Sequence, residues 1–158
     1  MLTHGGIQLV KNDEGKIFTV FYRLARGKEV VDHHSFFFFE GPEYHVHHSS
    51  YETHDFDSQV LGHDWLREKG YDNCWGVGRH VMGSQIFDYW YDPGRFIMEH
   101  YVDGDLLDDT EETHVSVASP NTLYIWGKSW GTPSVELRPE DLTRQLGIGP
   151  DVPDYFLK

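Results

Sequence analysis

The residues from Gly78 to Val102, GRHVMGSQIFDYWYDPGRFIMEHYV, leave a chain little freedom in how to fold them. They spell two short apolar runs, Gln85 to Tyr91 and Phe96 to Val102, on either side of Asp92-Pro93-Gly94-Arg95. Proline fixes φ and glycine tolerates positive φ, so those four residues turn the chain back on itself. Along a strand, every second residue shares a face. Gln85, Phe87, Tyr89 and Tyr91 then point one way, and Arg95, Ile97, Glu99 and Tyr101 share a face on the return. Tyr89 and Glu99 stand at similar distances from the turn and are expected to be neighbours. Where the two faces coincide, a phenol and a carboxylate are aimed into one space, with His80 just ahead of the first strand.

The chain before this hairpin alternates short strand-forming runs with breakers. Residues 7–10 (IQLV) read as a strand ended by the polar turn 11–16 (KNDEGK), and Ile17 to Leu24 as a second strand. Val30 to Glu40 is a third, in which four consecutive phenylalanines predict burial on both faces, and Gly41-Pro42 ends it. His45 to Thr53 is a fourth, with Val46, His48, Ser50 and Glu52 on one face and His45 and His47 on the other. Asp55 to Gly70 is the one clear helix. Asp57 or Ser58 caps it, Val60, Leu61, Trp65 and Leu66 form its apolar side, and Gly70 suits its exit. A short strand near Cys74 to Val77 then leads into the hairpin. From His45 onward the order is therefore β-α-β-β-β, with no second complete copy. The acidic run 103–112 reads as solvated loop, 115–126 as weakly strand-like, and 139–145 as a turn of helix.

Composition excludes several classes of partner. A net charge of −13 argues against nucleic acid and anionic membrane, both of which attract basic surfaces. No apolar run approaches the roughly 18 residues of a membrane span, and the first residues lack the pattern of a signal peptide. A lone cysteine, Cys74, fits a reducing compartment, reads as a buried thiol, and makes the cytoplasm the default location. Eleven histidines, almost as many as the thirteen lysines and arginines, cluster at His33-His34 and at His45, His47 and His48. His48 and Glu99 are candidate metal ligands, since imidazole plus carboxylate with open positions fits the 2-His-1-carboxylate pattern of non-haem Fe(II) oxygenases. His34, His80 and Tyr89 are of the right types to move protons beside it. His54, His63, His100 and His114 read as structural or exposed.

These residues resemble the signature of the type I extradiol ring-cleavage dioxygenases of the vicinal oxygen chelate superfamily, whose β-α-β-β-β modules are shared with glyoxalases and bleomycin-resistance proteins. The family pattern falls on Gly78-Arg79-His80, Tyr89, Pro93-Gly94 with Phe96, and Glu99, and its two double-histidine strands fall on His33-His34 and His47-His48. The match runs over roughly residues 17 to 103. It implies an α+β fold with one complete module at 43–104, strands of a partial preceding module at 1–42 and a mostly loop extension at 105–158. It further implies Fe(II), with Mn(II) as the alternative, held by His48 and Glu99, a catechol-type substrate and O2. His34 would be the acid/base, and His80 and Tyr89 would hydrogen-bond the substrate oxygen. Phe36, Phe38, Phe87, Trp90 and Tyr91 would line an apolar pocket for a flat ring.

One departure stands out. The family's first ligand histidine belongs to an earlier module, and His4 is the only histidine upstream of His33. The chain thus reads as an N-terminally truncated relative whose third ligand is His4, a partner subunit's donor, or lost. A non-catalytic binding module of the same fold and a glyoxalase-like lyase are the competing readings. With only one complete module, dimerisation is the expected repair for open sheet edges.

Overall fold

A computed structural model describes residues 6–42, 44–119 and 122–127. Along the chain run β1 (Gln8–Lys11), β2 (Ile17–Tyr22), β3 (Val31–Asp32), β4 (Phe36–Phe39), β5 (His48–Glu52), α1 (Phe56–Glu68), β6 (Asn73–Arg79), β7 (Ile86–Tyr91), β8 (Ile97–Val102), β9 (Leu106–Leu107) and β10 (His114–Val117). They assemble into two four-stranded sheets, ordered β10-β1-β2-β4 and β5-β8-β7-β6, and the short pair β3-β9. The second sheet with its helix is the expected β-α-β-β-β unit. The expected turn of helix at 139–145 and His4 lie outside the described residues.

The hairpin forms because its turn and its alternation agree. Asp92 accepts the Phe96 N–H on Oδ1 at 2.8 Å, and its own N–H donates to the Phe96 carbonyl at 2.9 Å. The left-handed residue of the turn is Arg95, with φ of 68°, not Gly94 as the turn chemistry suggested. Its guanidinium is held over the Tyr91 ring at 4.2 Å and paired to Asp72 at 2.5 Å. On the other side of β7, strand β6 approaches so closely that a Cβ on Gly78 would sit 2.3 Å from Phe87 Cζ.

The helix is capped by Asp55, whose side chain accepts from Ser58 N at 2.7 Å, so Ser58 is the donor in this cap and not the capping residue. The inward face also differs from the expected one. Leu61 and Trp65 are 70% and 53% exposed, whereas Gln59 and His63 are buried. Polar residues can face inward because the sheet supplies partners. Gln59 Nε2 donates to the Ile86 carbonyl at 3.0 Å, and His63 Nδ1 lies 3.0 Å from Asp88 Oδ1. Asp88, with no exposed surface, also accepts from Asn73 Nδ2 at 3.1 Å and Trp90 Nε1 at 2.6 Å.

The four phenylalanines are not buried on both faces. Strand β4 is an edge strand, and Phe36 and Phe38 are 51% and 58% exposed, while Phe37 and Phe39 are half-buried. On the exposed face Phe38 packs edge-on against Tyr22 at 6.1 Å and lies 4.9 Å from Phe36. The acidic run is not wholly loop either, since β9 within it pairs with β3. Residues 114–117 supply β10, which pairs parallel with β1.

Two apolar clusters hold these layers. Val77, Ile86 and Val102 pack within the second sheet, and Val10 and Ala118 gather Phe18, Phe21 and Met82 against the first. Met82 comes from the loop between β6 and β7, so it ties the two sheets together. Backbone hydrogen bonds reinforce the junction, from His33 N to Asp105 O at 2.9 Å and from Asp105 N to Gly83 O at 2.8 Å. A fully buried aromatic such as Phe87 is worth about 2 to 3 kcal/mol relative to an exposed one.

Candidate functional site

The site is built across three adjacent strands. In the antiparallel β7–β8 pair Tyr89 stands opposite Glu99, as the turn spacing predicted. In the parallel β5–β8 pair Ser50 stands opposite Glu99, and His48, two residues earlier on β5, shares its face. Glu99 is 5% exposed, so its charge must be met by protein. Ser50 Oγ donates to Glu99 Oε2, His48 Nε2 lies 3.3 Å from the same oxygen, and His80 Nε2 lies 3.7 Å from Oε1. Burial alone would raise the Glu99 carboxyl. Hydrogen bonds and charge from His48 and His80 outweigh that and hold it well below the usual carboxylate range.

His80 is oriented from both ends. Its Nδ1 lies 2.7 Å from the Leu123 carbonyl, which can only accept, so Nδ1 carries the proton. Nε2 lies 2.9 Å from the Tyr89 hydroxyl: unprotonated it accepts the phenol's hydrogen, and protonated it donates to the phenol oxygen and faces the Glu99 carboxylate. Burial, then the nearby Glu99 charge, pushes the Tyr89 phenol well above its ordinary value. Tyr89 therefore remains a proton donor at all physiological pH.

His34 comes from the segment between β3 and β4. Its Nδ1 is 3.0 Å from His33 Nδ1 and its ring packs edge-on against Phe21 at 4.9 Å. Burial takes its pKa down to about 3, helped by His33, His80 and His48 and opposed by Glu99. The structure thus brings His34, His48, His80, Tyr89 and Glu99 into one electrostatic neighbourhood. His34 is an uncharged imidazole there, able to accept a hydrogen bond.

The expected aromatic lining is largely rearranged. Phe36 and Phe38 face outward. Trp90 lies on the helix side, its ring 5.0 Å from His63, and Tyr91 lies beneath Arg95. Phe87 alone of the five borders the site, 4.2 Å from the His80 ring. The wall is completed by Trp75, stacked on Tyr89 at 5.6 Å and 8°, and by Phe37, whose ring is 5.2 Å from His48. Sequence reasoning missed Trp75 because β6 is bulged between Asn73 and Trp75 and again between Gly76 and Gly78, which destroys alternation. Ser50 was findable, since it shares the His48 face. Leu123 carried no signal.

Several other described histidines are engaged outside the site or at its margin. Strand β5 begins only at His48, so alternation does not extend back to His45, whose ring packs on Phe39 at 5.7 Å. His47 is 2.6 Å from His48 through their Nδ1 atoms. His54 pairs with Asp55 and His114 with Glu111. Cys74 is half-buried, and burial pushes its thiol up. Among the described residues, no group of three or more His, Cys, Asp and Glu side chains is placed to hold a metal ion, so His48 and Glu99 stand as a facing pair. No helix among the described residues is long and apolar enough to cross a membrane.

A β-α-β-β-β sheet beside a second four-stranded sheet, with a histidine and a carboxylate converging from its strands, is the vicinal oxygen chelate fold. The chain is similar to extradiol dioxygenases and glyoxalase-type proteins that share this fold. Metapyrocatechase 2 of Cupriavidus necator is 29% identical over 127 residues, which are 80% of this chain and 33% of that protein. The chain therefore spans about a third of the length of the curated relative it matches. Among solved structures, the Mn(II)-bound glyoxalase from Novosphingobium aromaticivorans matches with a TM-score of 0.64 and 28% identity over 80% of this chain and 38% of that one. The homoprotocatechuate 2,3-dioxygenase from Brevibacterium fuscum, in complex with 3,4-dihydroxyphenylacetate, matches with a TM-score of 0.63 and 21% identity over 82% and 39%. No family model matches the chain.

Proposed function

We propose that this chain is the metal-bearing module of an extradiol ring-cleavage dioxygenase, with His48 and Glu99 as ligands to Fe(II) and a catechol-type aromatic and O2 as substrates. The observation that supports this best is the convergence of His48, Glu99, His80 and Tyr89 across three strands. The donor chemistry fits: a neutral imidazole and a carboxylate that stays ionised are two of the three protein ligands of a facial triad. A third donor must come from beyond the described residues, either His4 or another chain. Mn(II) suits the same donors, and one of the similar structures is a Mn(II)-bound protein. Iron at the pair would supply electron transfer between the diol and dioxygen. Its own side chains then do the rest. His34, uncharged at neutral pH, would accept a hydrogen bond from a substrate hydroxyl, and an anionic substrate beside it would offset the burial that disfavours its protonated form. With His80, tethered at Nδ1, donating its Nε2–H to the phenol oxygen, the Tyr89 hydrogen would be free for the oxygen on which charge develops. Trp75, Phe37 and Phe87 keep water from that space.

A second reading rests on the donor count. With His48 and Glu99 alone, the fold would serve as a binding module for an aromatic ligand. Similarity to a glyoxalase keeps a lyase as a third reading. Anaerobic Fe(II) titration of the protein beside His48→Ala and Glu99→Ala, followed by oxygen uptake with a catechol panel, separates them. One tight equivalent lost in both variants, with uptake, supports the dioxygenase. Tight catechol binding to metal-free protein without turnover selects the binding module, and turnover of a glutathione hemithioacetal selects the lyase. The cytoplasm and a homodimer remain part of this reading, from the single cysteine and the open edges of β4 and β5.

A further inference from the structure

The two oxygens of the Glu99 carboxylate have different surroundings. His80 Nε2 is the neighbour of Oε1, at 3.7 Å. Oε2 is met from β5 instead, by His48 Nε2 at 3.3 Å and by the hydroxyl of Ser50, which donates to it. Both contacts follow from one register. Ser50 stands opposite Glu99 in the parallel β5–β8 pair, and His48, two residues earlier, shares its face. The His48 ring is held separately, its Nδ1 2.6 Å from His47 Nδ1, so that Nε2 faces the carboxylate. The Ser50 side chain is thus aimed at Glu99 and not at His48.

A carboxylate oxygen has two lone pairs, and a hydroxyl that takes one leaves the other for a second partner. On Oε2 that second partner lies on the His48 side. Two ligands held at right angles on one ion by bonds of about 2.1 Å lie about 3 Å apart, and Nε2 and Oε2 are 3.3 Å apart. The pair is therefore already spaced for a shared cation. Without the Ser50 hydroxyl, the carboxylate is free to turn its charge toward His80, on the Oε1 side. We propose that Ser50 is a positioning residue, whose hydroxyl fixes Glu99 so that Oε2 is the oxygen presented with His48 Nε2 to a divalent cation. This rests on His48 and Glu99 being metal ligands. Ser50 is exposed on an edge strand, so truncating it opens no cavity.

Titration of the full chain with Mn(II) alone tests this, followed by the paramagnetic resonance signal of the free ion, which disappears on binding. Ser50→Ala should weaken binding roughly 10- to 100-fold, the usual effect of removing a hydrogen bond to a ligating carboxylate, with the circular dichroism unchanged. Ser50→Thr keeps the hydroxyl and should recover most of the affinity. Ser50→Cys keeps the size but donates weakly, so it should lose affinity as alanine does, and it carries the test if Ser50→Ala does not fold. Ser49→Ala, on the opposite face of the same strand, should bind like the wild type. Wild-type affinity in Ser50→Ala, no recovery in Ser50→Thr, or an equal loss in Ser49→Ala would overturn the role of Ser50. With binding still abolished by His48→Ala, those results would leave the ligand reading standing. No Mn(II) bound by the wild type, or binding that survives His48→Ala, would overturn both.

Discussion

Tyr89 and Glu99 face each other across the β7–β8 pair, and His80 lies within reach of both, 2.9 Å from the phenol and 3.7 Å from the carboxylate. The three groups form one chain of polar contacts. The Leu123 carbonyl fixes a proton on His80 Nδ1 and turns Nε2 toward the Tyr89 hydroxyl and the Glu99 carboxylate.

Tyr89→Phe removes one atom from that chain. It leaves His80 Nε2 without its phenol partner in a half-buried setting, which costs about 1 kcal/mol of stability, read as a lower urea midpoint. Where a catechol is turned over, kcat should fall roughly 10- to 100-fold with the metal affinity unchanged. Equal losses of metal binding and turnover would show that the phenol supports the ligands instead.

The low pKa of His34, about 3, has a thermodynamic consequence. Its unfolded form titrates near 6.5, so between about pH 6.5 and pH 3 the unfolded chain binds more protons than the folded one. Stability of the metal-free protein should therefore fall as pH drops through that window, by up to about 1 kcal/mol per pH unit from this residue. Urea midpoints measured from pH 7 to pH 4 check it, and His34→Phe should flatten the slope. An unchanged slope would assign the acid lability to other groups.

Asp88 is the hub beneath the site. Asp88→Ala strands the buried His63 ring and Trp90 Nε1, while exposed Asn73 keeps its bond to the Tyr89 carbonyl, so a loss of about 3 kcal/mol is expected. Chemical denaturation measures it. A loss below about 1 kcal/mol would mean that water replaces the carboxylate.

The helix cap has its own pH signature. Asp55 is held down to about 2 by its hydrogen bonds to Ser58 and to His54. A depressed carboxyl stabilises above its unfolded pKa, near 4, and that contribution disappears as pH falls toward 2. Asp55→Ala should lower the urea midpoint at pH 7 and do so progressively less as pH falls through about 2, whereas Asp55→Ser should keep most of the cap.

Much of this was legible where one physical rule acts alone. The period of two and the length of the turn place Tyr89 opposite Glu99, and the breakers mark out the β-α-β-β-β order. His48 and Ser50 were legible for the same reason. Legibility failed where partners from distant segments decide. Gln59 and His63 turn inward only because the Ile86 carbonyl and Asp88 await them, which hydropathy cannot register. Phe36 and Phe38 stay outside because β4 lies at an edge, a fact of sheet order and not of composition. Arg95 takes the left-handed turn position that glycine chemistry assigned to its neighbour.

The parallel pairing of β1 with β10 joins Gln8 to His114. It makes the two sheets unequal in time. The strands of the second sheet lie between His48 and Val102, so all its pairings are available before β10 has been synthesised. The β1–β2 hairpin, by contrast, must wait with one edge open until residues 114–117 arrive, and closing so long a loop is slow. The sheet bearing His48, Tyr89 and Glu99 is thus expected to mature first on the ribosome, and hydrogen exchange pulsed during refolding should protect β7 and β8 ahead of β1.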